Sequence, residues 1–544
     1  MAVSVPENQK IEVILETNFN AAFANVAEAL KPTLHEWIDK PQEVIRFVPD
    51  EAAYFKWRAE RRMTIGELEK HEWTKGDDFI VDFGGHRVGY LSFHLGAVGV
   101  NIDAPCRLRL VFGEVPTDVA EDLHPCNTWI STSWLPDETI NVDWLPTDVS
   151  LPRRYSFRYV RIQVLDNGPK FRVTFSRLRA TAVSAVDPFV PVPTFPLADA
   201  QLRAIDAAAM HTLRDCMQSV FEDGPRRDRR LWLGDLRLQA LTNHATFAHF
   251  ALVKRCLYLF AAVPRTNASL PACVYNFPTL RGASDYIVDY DALFGVTLAE
   301  YVAASGDLET GRALWETALG SMRGPLAHID PDTQRFVGAR TSAWKFCDWA
   351  EELHTDASMH GVILLACKKL NALAAQLFPD APAPFAGDVA RMTAGAAGFL
   401  REEEGQEPLF VSGPDAQVSW ASAAWLSLSG AFPATLAKRA LLAALAHPTA
   451  VRPLTPYCFH HVAEALAVVG AERECVALVR EYWGGMLAAG ADTFWECFDP
   501  LDARRSPYGD CHNNSYCHAW SCTPSYLLRV VLRDWFEKEG MTLR

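Results

Sequence analysis

The spacing of hydrophobic positions changes once along the chain, from a two-residue period to a helical one. Between residues 76 and 182, short segments alternate apolar and polar side chains, as at Phe79, Val81 and Phe83. Such alternation, separated by turn-forming residues, predicts an antiparallel β-sandwich with one strand face towards the core. Residues 114–152 interrupt the pattern and predict a long loop region, which contains Trp129, Trp134 and Trp144.

The first 70 residues have a mixed pattern that predicts little regular structure. Residues 20–30 favour a helix, and residues 11–15 and 44–48 favour short strands. We expect this irregular segment to belong to the sandwich domain, so that the domain spans residues 1–187.

A proline-rich segment follows and marks a change of architecture. Residues 188–197 contain Pro188, Pro191, Pro193 and Pro196, which is typical of a semi-rigid linker. Beyond it, apolar residues recur at helical spacing to the end of the chain. The pattern predicts twelve helices, near residues 202–220, 236–246, 248–262, 289–304, 307–322, 355–377, 385–401, 418–428, 433–446, 456–469, 471–488 and 523–538.

Twelve helices within residues 198–544 favour six hairpins closed into an (α/α)6 toroid. A helical solenoid is the alternative, but the sequence shows no repeat of fixed period. The long connections between helices are unusual, because helix connections are ordinarily short. We expect them to carry the function, as loops on rigid scaffolds often do. They span residues 222–235, 263–288, 323–354, 402–417 and 489–522.

Composition narrows the class of protein. The chain has 544 residues, 11% of them aromatic, which is typical of a globular protein with large cores. A net charge of -14 argues against nucleic acid as a partner. No apolar segment is long enough to span a membrane, and the N-terminus does not resemble a secretory signal. The thirteen cysteines form no C-x-x-C pair, so we expect reduced thiols, a cytoplasmic location and no metal site.

Residues 223–235 form the densest cluster of charge in the sequence. They contain three aspartates, four arginines and Trp232 within a loop that begins with Gly224 and Pro225. Carboxylates, guanidiniums and an indole together suit a polyhydroxylated ligand. The alternative is a salt-bridged loop between domains. Residues 323–354 and 489–522 also carry carboxylates beside tryptophans, and paired carboxylates are what a glycosidase needs.

These segments resemble the α-L-rhamnosidases of glycoside hydrolase family 78. Residues 223–235 resemble the family's signature, and further similar segments follow in the family's order. The resemblance covers about residues 75–540 and implies a compact variant, without the family's C-terminal β-domain and extra N-terminal sandwiches. The further segments are residues 83–90, 157–161, 289–290, 305–307, 348–349, 493–496 and 518–520.

The catalytic positions depend on how the signature is aligned. The family pattern reads Arg-Asp-Glu-Arg, with the glutamate as general acid, and this chain is one residue shorter. Aligned from Asp223, the acid position becomes Arg229, which cannot donate a proton at any useful pH. Aligned backwards from Trp232 and Asp235, it becomes Asp228, which we prefer. Repulsion from Asp223 and Asp235 would favour a protonated Asp228, whereas the flanking arginines would oppose it.

The resemblance implies a glycosidase that removes terminal α-L-rhamnose by inversion, with Glu496 as general base and no cofactor. The expected substrates are small rhamnosides, such as disaccharides or flavonoid glycosides. A homodimer is one option for the assembly. Two alternatives remain: an (α/α)6 hydrolase for another terminal deoxysugar or a uronic acid, and an inactive sugar-binding protein. The residues expected to bind the sugar are Asp223, Arg227, Trp232, Asp235, Trp349, Trp495 and His518.

Overall fold

The computed structural model describes residues 17–542 of the chain. The first helix, α1 (Ala21–Ala29), begins where the Asn20 side chain accepts a hydrogen bond from the backbone N–H of Phe23 at 3.1 Å. This confirms the predicted helix at residues 20–30. The strand predicted at residues 11–15 lies outside the described residues.

Between residue 17 and the start of the helical region, nine antiparallel strands form one unit, and four of them pair with β4. Strand β4 is 22 residues long, and its first part pairs with β2 and β8, while its second part pairs with β7 and β9. The strands are β1 (His35–Asp39), β2 (Glu43–Pro49), β3 (Trp57–Thr64), β4 (Asp78–Gly99), β5 (Cys106–Gly113), β6 (Asp137–Val142), β7 (Thr147–Ser150), β8 (Tyr155–Asp166) and β9 (Phe171–Ser184), with short helices α2 (Ile65–Leu68) and α3 (Pro116–Ala120) between them.

The two parts of β4 enclose a common core. Phe79 in the first part and Phe93 in the second part both contact the ring of Phe175, at centroid distances of 5.0 and 5.6 Å. Leu108, Leu110 and Phe112 of β5 are buried in the same core. The sandwich predicted from the two-residue period is therefore confirmed.

The remaining chain is mainly helical. Its helices are α4 (Ala200–Cys216), α5 (Leu233–Ala245), α6 (Phe250–Ala261), α7 (Val288–Ser305), α8 (Leu308–Ala313), α9 (Trp315–Ser321), α10 (Arg323–Ala327), α11 (Asp356–Leu377), α12 (Ala386–Ala396), α13 (Trp420–Leu428), α14 (Ala434–Ala446), α15 (Pro456–Val468), α16 (Glu472–Ala488), α17 (Pro524–Tyr526) and α18 (Arg533–Lys538). Two small sheets lie in the loops, formed by β10 (Leu231–Trp232), β11 (Cys273–Tyr275) and β12 (Arg281–Gly282), and by β13 (Leu400–Arg401), β14 (Leu409–Ser412) and β15 (Gln417–Val418).

The helices close into a ring of six hairpins. Helices α5, α7, α11, α13 and α15 each contact the next, and α17 completes the inner ring against α5. Helices α4, α6, α12, α14 and α16 pack outside, with the segment α8–α10 in the remaining outer position, and α16 contacts α4. The predicted (α/α)6 toroid is confirmed, because a solenoid would leave these ends apart.

Two helices predicted as continuous are interrupted. The segment predicted at residues 307–322 is divided into α8 and α9, with α10 directly after it, and a π-helix (Leu527–Val531) separates α17 from α18. At the first break, Leu314 has φ −96° and ψ 4°, so the backbone departs only locally from helical geometry. The hydrophobic period continues through such distortions, which is why the sequence pattern does not reveal them.

The sheet unit and the helical unit are joined by buried ion pairs. Strand β9 ends at Ser184 and α4 begins at Ala200. Arg154 donates to Glu222 at 2.7 Å, and Arg226 donates to Asp118 at 2.8 Å, both across the junction. Charges buried in this way require close pairing, so the two units meet at a specific surface.

Two further properties concern the chain as a whole. None of the helices in residues 17–542 combines the length and the hydrophobicity that crossing a membrane requires. All thirteen cysteines are free, and only Cys126 among them is more than marginally exposed.

Candidate active site

A cavity of about 390 Å³ opens where the long loops of the helical ring meet the sheet unit. This size is within the usual range of small-molecule sites, ~300–1,000 Å³. The structure brings eight of the nine residues predicted for the site to this cavity. They are Asp223, Arg227, Asp228, Trp232, Asp235, Trp349, Glu496 and His518.

The loop before α5 turns sharply at two consecutive residues. Asp228 and Arg229 have φ values of 58° and 52°, a left-handed conformation that is costly for side chains other than those of glycine, asparagine and aspartate. Asp228 lines the cavity, whereas Arg229 does not. Arg229 instead donates from Nε to the carbonyl oxygen of Pro225 at 2.9 Å. The turn therefore presents the aspartate, and not the arginine, to the cavity.

Glu496 is the most firmly held carboxylate of the site. Its two oxygens accept hydrogen bonds from Arg227 Nη2 at 3.0 and 2.9 Å, and Oε2 also accepts from the backbone N–H of Ser515 at 3.0 Å. The hydroxyl of Tyr508 donates to Oε1. With its side chain only 3% exposed, Glu496 has one fixed orientation at the cavity wall.

Arg227 connects the two carboxylates that the sequence predicts as acid and base. While Nη2 binds Glu496, Nη1 lies 3.1 Å from Oδ1 of Asp228. Its Nε donates to the carbonyl oxygen of Asn513 at 2.9 Å, and the guanidinium lies over the Tyr508 ring at 4.1 Å. We expected Arg227 to bind sugar hydroxyls, but its nitrogens already have protein partners, so its contacts fit a positioning role better.

Two buried aspartates give the cavity an unusual electrostatic character. Burial raises the pKa of Asp223 well above its usual range, and repulsion from Asp228 and Asp235 adds to this. Burial likewise raises the pKa of Asp235, with the charges of Glu496 and Asp228 adding to the effect. Perturbed carboxyl groups that converge on one cavity are typical of functional sites.

Four buried polar atoms at the cavity have no hydrogen-bond partner within residues 17–542. An unpaired buried polar group costs about 1–3 kcal/mol, so a structure retains several together only for a reason such as a ligand. Three are donors or potential donors and one is an acceptor, which suits sugar hydroxyls. They are Nε1 of Trp232, Oδ1 of Asp235, Nε1 of Trp349 and Nδ1 of His518.

His518 lies between the two buried aspartates at the inner end of the cavity. Its ring nitrogens are 4.0 Å from Asp223 and 3.9 Å from Asp235. Burial lowers the pKa of His518 well below its ordinary value, and the nearby Arg227 charge lowers it further. The imidazole is therefore neutral at neutral pH, and it can both donate and accept a hydrogen bond.

The structure does not bring Trp495 to the cavity, contrary to the prediction. Its indole packs against Phe55 at 5.3 Å and against Tyr516 at 5.5 Å, in a separate apolar cluster. Residues 494–497 form no regular strand, and Glu496 lies at a bend. The carboxylate of Glu496 binds Arg227 while the indole of Trp495 packs into the apolar cluster, so the two neighbouring side chains point to opposite sides of the backbone.

Four further aspartates in the long loops lie outside the cavity. Asp348 accepts hydrogen bonds from the backbone N–H groups of Leu454 and Thr455, at 2.8 and 3.0 Å, where α15 begins. It therefore has a structural role. Asp492, Asp499 and Asp510 do not line the cavity either.

Several lining residues were not predicted from the sequence. Tyr508 is held in a loop without regular structure, and Trp129 and Trp134 come from the sheet unit, so no local pattern places them here. Gly234, in the first turn of α5, does carry a signal in the sequence. A Cβ at this position would lie 2.1 Å from the ring of Tyr290, so the position requires glycine, and the glycine indicates that another residue packs closely against it. The additional lining residues are Trp129, Ile130, Ser131, Trp134, Arg230, Asp285, Ile287, Tyr290, Trp344, Phe346, Tyr508 and Trp520.

Two groups of side chains elsewhere have spacing compatible with a metal ion. They are His86 with His211 and Asp215, and Asp510 with Cys511 and His512. In the first group His86 and Asp215 are hydrogen bonded at 2.7 Å, and in the second His512 and Asp510 at 2.8 Å. Neither group lines the cavity, and these protein partners account for their arrangement.

The arrangement has the elements of a glycosidase site. Two carboxylates face one cavity, and the inner end offers hydroxyl-binding groups beside aromatic faces. The rings of Phe346 and Trp520 stack at 5.7 Å, and Trp349 lies 5.2 Å from Phe346. Such surfaces suit the apolar face and methyl group of a deoxysugar.

Comparison with known proteins agrees with this chemistry. Two family models match the chain: the glycosyl hydrolase family 78 α-rhamnosidase N-terminal domain over residues 41–182, and the bacterial α-L-rhamnosidase six-hairpin glycosidase domain over residues 192–367. No curated protein sequence matches significantly.

Solved structures give the stronger similarity. A rhamnosidase from Klebsiella oxytoca with rhamnose bound is 39% identical, with a TM-score of 0.91, over 95% of this chain and 99% of that one. The family 78 rhamnosidase of Bacillus sp. GL1 is 21% identical, with a TM-score of 0.68, over 88% of this chain and 50% of that one.

An α-L-rhamnosidase from Streptomyces avermitilis, complexed with L-rhamnose, is 16% identical, with a TM-score of 0.61, over 92% of this chain and 44% of that one. The similarity to this enzyme and to the Bacillus enzyme supports the fold alone. The two family models and the Klebsiella structure go further: this chain belongs to the α-L-rhamnosidases of glycoside hydrolase family 78.

Proposed function

We propose that this enzyme removes terminal α-L-rhamnose from the non-reducing end of small rhamnosides with inversion, using Asp228 as general acid and Glu496 as general base. The observation that carries the proposal is that both carboxylates line one cavity and bind the same guanidinium, that of Arg227. An inverting enzyme needs a proton donor on one side of the sugar and a base for water on the other.

The two candidate acids have different surroundings. Asp228 is 16% exposed and faces the cavity, so a glycosidic oxygen can reach it. Arg229 is bonded to Pro225 outside the cavity, and a guanidinium holds its proton too tightly to act as an acid. This favours the alignment of the family signature from Trp232 backwards.

Glu496 is suited to orient and deprotonate a water molecule. Hydrogen bonds from Arg227, Tyr508 and Ser515 fix its carboxylate, so no reorganisation is needed during the reaction. The width of the Arg227 guanidinium separates it from Asp228. Inversion requires a separation of ~6.5–9.5 Å between the two carboxyl groups, against ~5–5.5 Å in retaining pairs.

The kind of substrate is inferred from the burial and the chemistry of the residues at the inner end of the cavity. The inner end is formed by buried residues, including Asp235 and His518, each 2% exposed, so a sugar there is the terminal one. Asp223, Asp235 and His518 offer partners to its hydroxyls, and Trp232 and Trp349 offer apolar faces. We infer small rhamnosides, such as disaccharides or flavonoid glycosides, as substrates.

The thirteen free cysteines favour a reducing compartment, and we propose the cytoplasm. In that location, substrates would be limited to molecules small enough for uptake. The domain boundaries at residues 187 and 198 and a homodimer stay predictions.

Hydrolysis of aryl α-L-rhamnosides tests the proposed roles. Asp228→Asn should lower kcat by ~10²–10⁴ for a poor leaving group and much less for a good one, which needs little protonation. Glu496→Gln should lower kcat similarly for every leaving group, because water activation is always required. Arg229→Ala serves as the neighbouring control and should change kcat far less than either.

The stereochemistry of the released sugar is measured in a separate experiment. NMR of the fresh product should show β-L-rhamnose first, as inversion requires. Appearance of the α-anomer first would contradict inversion. Near-normal activity of Asp228→Asn on a substrate with a poor leaving group would mean that another carboxyl group is the general acid.

A further inference from the structure

A second cavity, which we call the junction pocket, lies between the sheet unit and the helical unit. Its volume is about 210 Å³. Trp495 lines the junction pocket, whereas the next residue, Glu496, lines the active-site cavity. Within residues 17–542 the two cavities share no lining residue. The junction pocket is lined by residues 53–55, 57, 114–116, 158 and 159 of the sheet unit and by residues 489–492, 495 and 516 of the helical unit.

Two aromatic side chains of the junction pocket are held in place by hydrogen bonds to the protein. Trp57 Nε1 donates to the carboxylate of Glu121 at 2.8 Å, and the Tyr54 hydroxyl donates to the carbonyl oxygen of Asp499 at 2.8 Å. Because these polar atoms already have partners, both residues offer the pocket mainly their flat apolar rings. Walls that are fixed before a ligand binds lower the entropy cost of binding.

One charged pair on the wall of the junction pocket is not closed. Arg158 donates from Nε and Nη2 to the carboxylate of Asp82, at 3.0 and 3.1 Å, but its Nη1 lies 4.0 Å from Asp492. Asp492 is oriented by the backbone N–H of His86, which donates to it at 2.6 Å. The side chains of Arg158 and Asp492 are 25% and 28% exposed, so a ligand can reach both. A hydroxyl group between them can accept from the guanidinium and donate to the carboxylate.

These groups suit one sugar unit. A guanidinium and a carboxylate bind hydroxyls, and aromatic rings bind the C–H face of a sugar. The volume of 210 Å³ is below the ~300–1,000 Å³ of most ligand sites, so it suits a monosaccharide better than a disaccharide or a flavonoid glycoside. Methyl groups of Ala53, Val115 and Ala491 also line the pocket, and they suit the methyl group of a 6-deoxysugar.

We propose that the junction pocket is a second sugar site, which binds the L-rhamnose that the enzyme releases. The inference rests on the proposed function, because the reaction supplies this ligand. A sugar in the pocket contacts Trp495 and Tyr516, and their neighbours Glu496 and Ser515 are joined by a hydrogen bond of 3.0 Å. Pressure on this segment displaces the general base from its fixed position, and small displacements of catalytic groups lower kcat. The released sugar therefore inhibits without entering the active site.

Equilibrium dialysis with radiolabelled L-rhamnose counts the sites. The wild-type enzyme should bind two molecules per chain and Trp57→Ala one, because the variant lacks the flat ring of the pocket. Trp57→Phe keeps a flat ring and should bind two. Trp57→Ala should also hydrolyse an aryl α-L-rhamnoside with kcat/KM within about twofold of the wild-type value, which shows that the lost site is not the active site.

Product inhibition measures the effect on the general base. Added L-rhamnose should lower kcat and raise the apparent KM of the wild-type enzyme, but should only raise the apparent KM of Trp57→Ala. Trp144→Ala is the matched control, because Trp144 is an 80% exposed tryptophan of the sheet unit that lines neither cavity. It should behave as the wild-type enzyme in both experiments.

Three results would overturn the inference: one bound L-rhamnose per wild-type chain, two per chain in Trp57→Ala, or purely competitive inhibition of the wild-type enzyme. Failure of the proposed function is a different result, in which the wild-type enzyme does not hydrolyse the aryl α-L-rhamnoside at all. An enzyme that hydrolyses this substrate but binds a single L-rhamnose contradicts the junction-pocket site alone.

Discussion

Asp235 is a buried carboxyl group at the wall of the candidate active site. Its carboxyl group is buried in the first turn of α5, and one of its oxygens has no partner in the described part of the chain. Burial raises the pKa of Asp235 well above its usual range. A group with a raised pKa binds its proton more tightly when the protein is folded, and the ionised form opposes folding.

We therefore expect Asp235→Asn to be less active and more stable at neutral pH. Loss of a carboxyl oxygen that accepts from the sugar should lower kcat/KM roughly 10- to 100-fold, because leaving a buried hydrogen-bonding group unpaired costs about 1–3 kcal/mol. For the wild-type enzyme, the free energy of unfolding should fall as the pH rises from about 4, the pKa of Asp235 in the unfolded chain, through the pKa of Asp235 in the folded protein. The variant should show no such fall. Thermal unfolding at pH 4 and pH 8 measures this.

The stability advantage of Asp235→Asn should thus be larger at pH 8 than at pH 4. Asp380→Asn, at an exposed turn, is the control and should show no such dependence. A variant that is less stable than the wild-type enzyme at pH 8 would mean that the Asp235 carboxylate is compensated in the folded protein.

Tyr508 is a second residue whose role is visible only in three dimensions. Its hydroxyl donates to Glu496, and its ring lies under the guanidinium of Arg227. Tyr508→Phe keeps the ring and removes one donor from the base, so kcat should fall about 10-fold or more while KM changes little. Steady-state kinetics on an aryl rhamnoside measures the two constants.

Tyr516→Phe is the matched control for that change. The Tyr516 hydroxyl donates to the carbonyl oxygen of Cys511 at 3.1 Å, so this buried tyrosine of the same loop does not bind Glu496. Its kcat should stay close to that of the wild-type enzyme. A rise in KM alone for Tyr508→Phe would instead make Tyr508 a substrate-binding residue.

At the residue scale, the sequence predicts site residues that are clustered along the chain. It does not predict residues whose place in the site depends on the direction in which the side chain points. The charges in residues 223–235 mark the cavity by composition alone. Trp495 adjoins Glu496 in sequence but packs against Phe55 and Tyr516, so adjacency along the chain does not predict which side chain faces the cavity. Tyr508 and Trp129 carry no local signal, since each reaches the cavity through contacts distant in sequence.

At the scale of elements, two loops must approach each other closely to form the site. A Cβ placed on Gly224 would lie 3.0 Å from the Ser515 hydroxyl and 3.1 Å from the Cys517 carbonyl oxygen. The backbone N–H of Ala519 also donates to the carbonyl oxygen of Asp223 at 2.8 Å. The loop that carries Asp228 and the loop that orients Glu496 are therefore in direct backbone contact.

Gly224→Val should separate these loops and displace the two carboxylates. We expect kcat/KM to fall about 100-fold, since misplacement by about 1 Å has that effect, and overpacking should cost about 1–3 kcal/mol of stability. Gly66→Ala, at a helical position with open space around it, is the control for adding a side chain to glycine. Full activity of Gly224→Val would show that the loops can shift without moving the carboxylates.

The helices were predictable because each has an apolar stripe of helical period, and the period does not depend on the partner that covers it. The loops were predictable only as long and polar segments. Their conformations depend on contacts such as that of Gly224 with Ser515, which join residues about 290 positions apart. No local pattern contains that information. The sequence therefore predicts which loops form the site, but not how these loops are arranged around it.

At the scale of the whole molecule, the sheet unit contacts the signature loop, residues 223–235, through buried charges. Arg226 in the signature loop donates to Asp118 of α3 and to the carbonyl oxygen of His512, both at 2.8 Å. Glu114, at the end of β5, accepts from the backbone N–H of Tyr516 at 2.6 Å. The sheet unit thus contacts both loops that carry the proposed acid and base, and we expect the two units to unfold together.

The last prediction tests this coupling. Asp118→Ala removes the carboxylate that is hydrogen bonded to Arg226, which is buried at 1% exposure, and leaves Glu114 Oε2 at 3.8 Å; breaking such a buried pair should cost about 3–5 kcal/mol. The double variant Asp118→Ala, Arg226→Met should recover part of this loss, because the poorly paired charge is the main penalty. Glu407→Ala, whose partner Arg439 is 56% exposed, should cost less than about 1 kcal/mol.

Denaturant unfolding followed by fluorescence and activity should show one shared transition. If Asp118→Ala unfolds the sheet unit first while activity persists, the sheet unit does not support the catalytic loops.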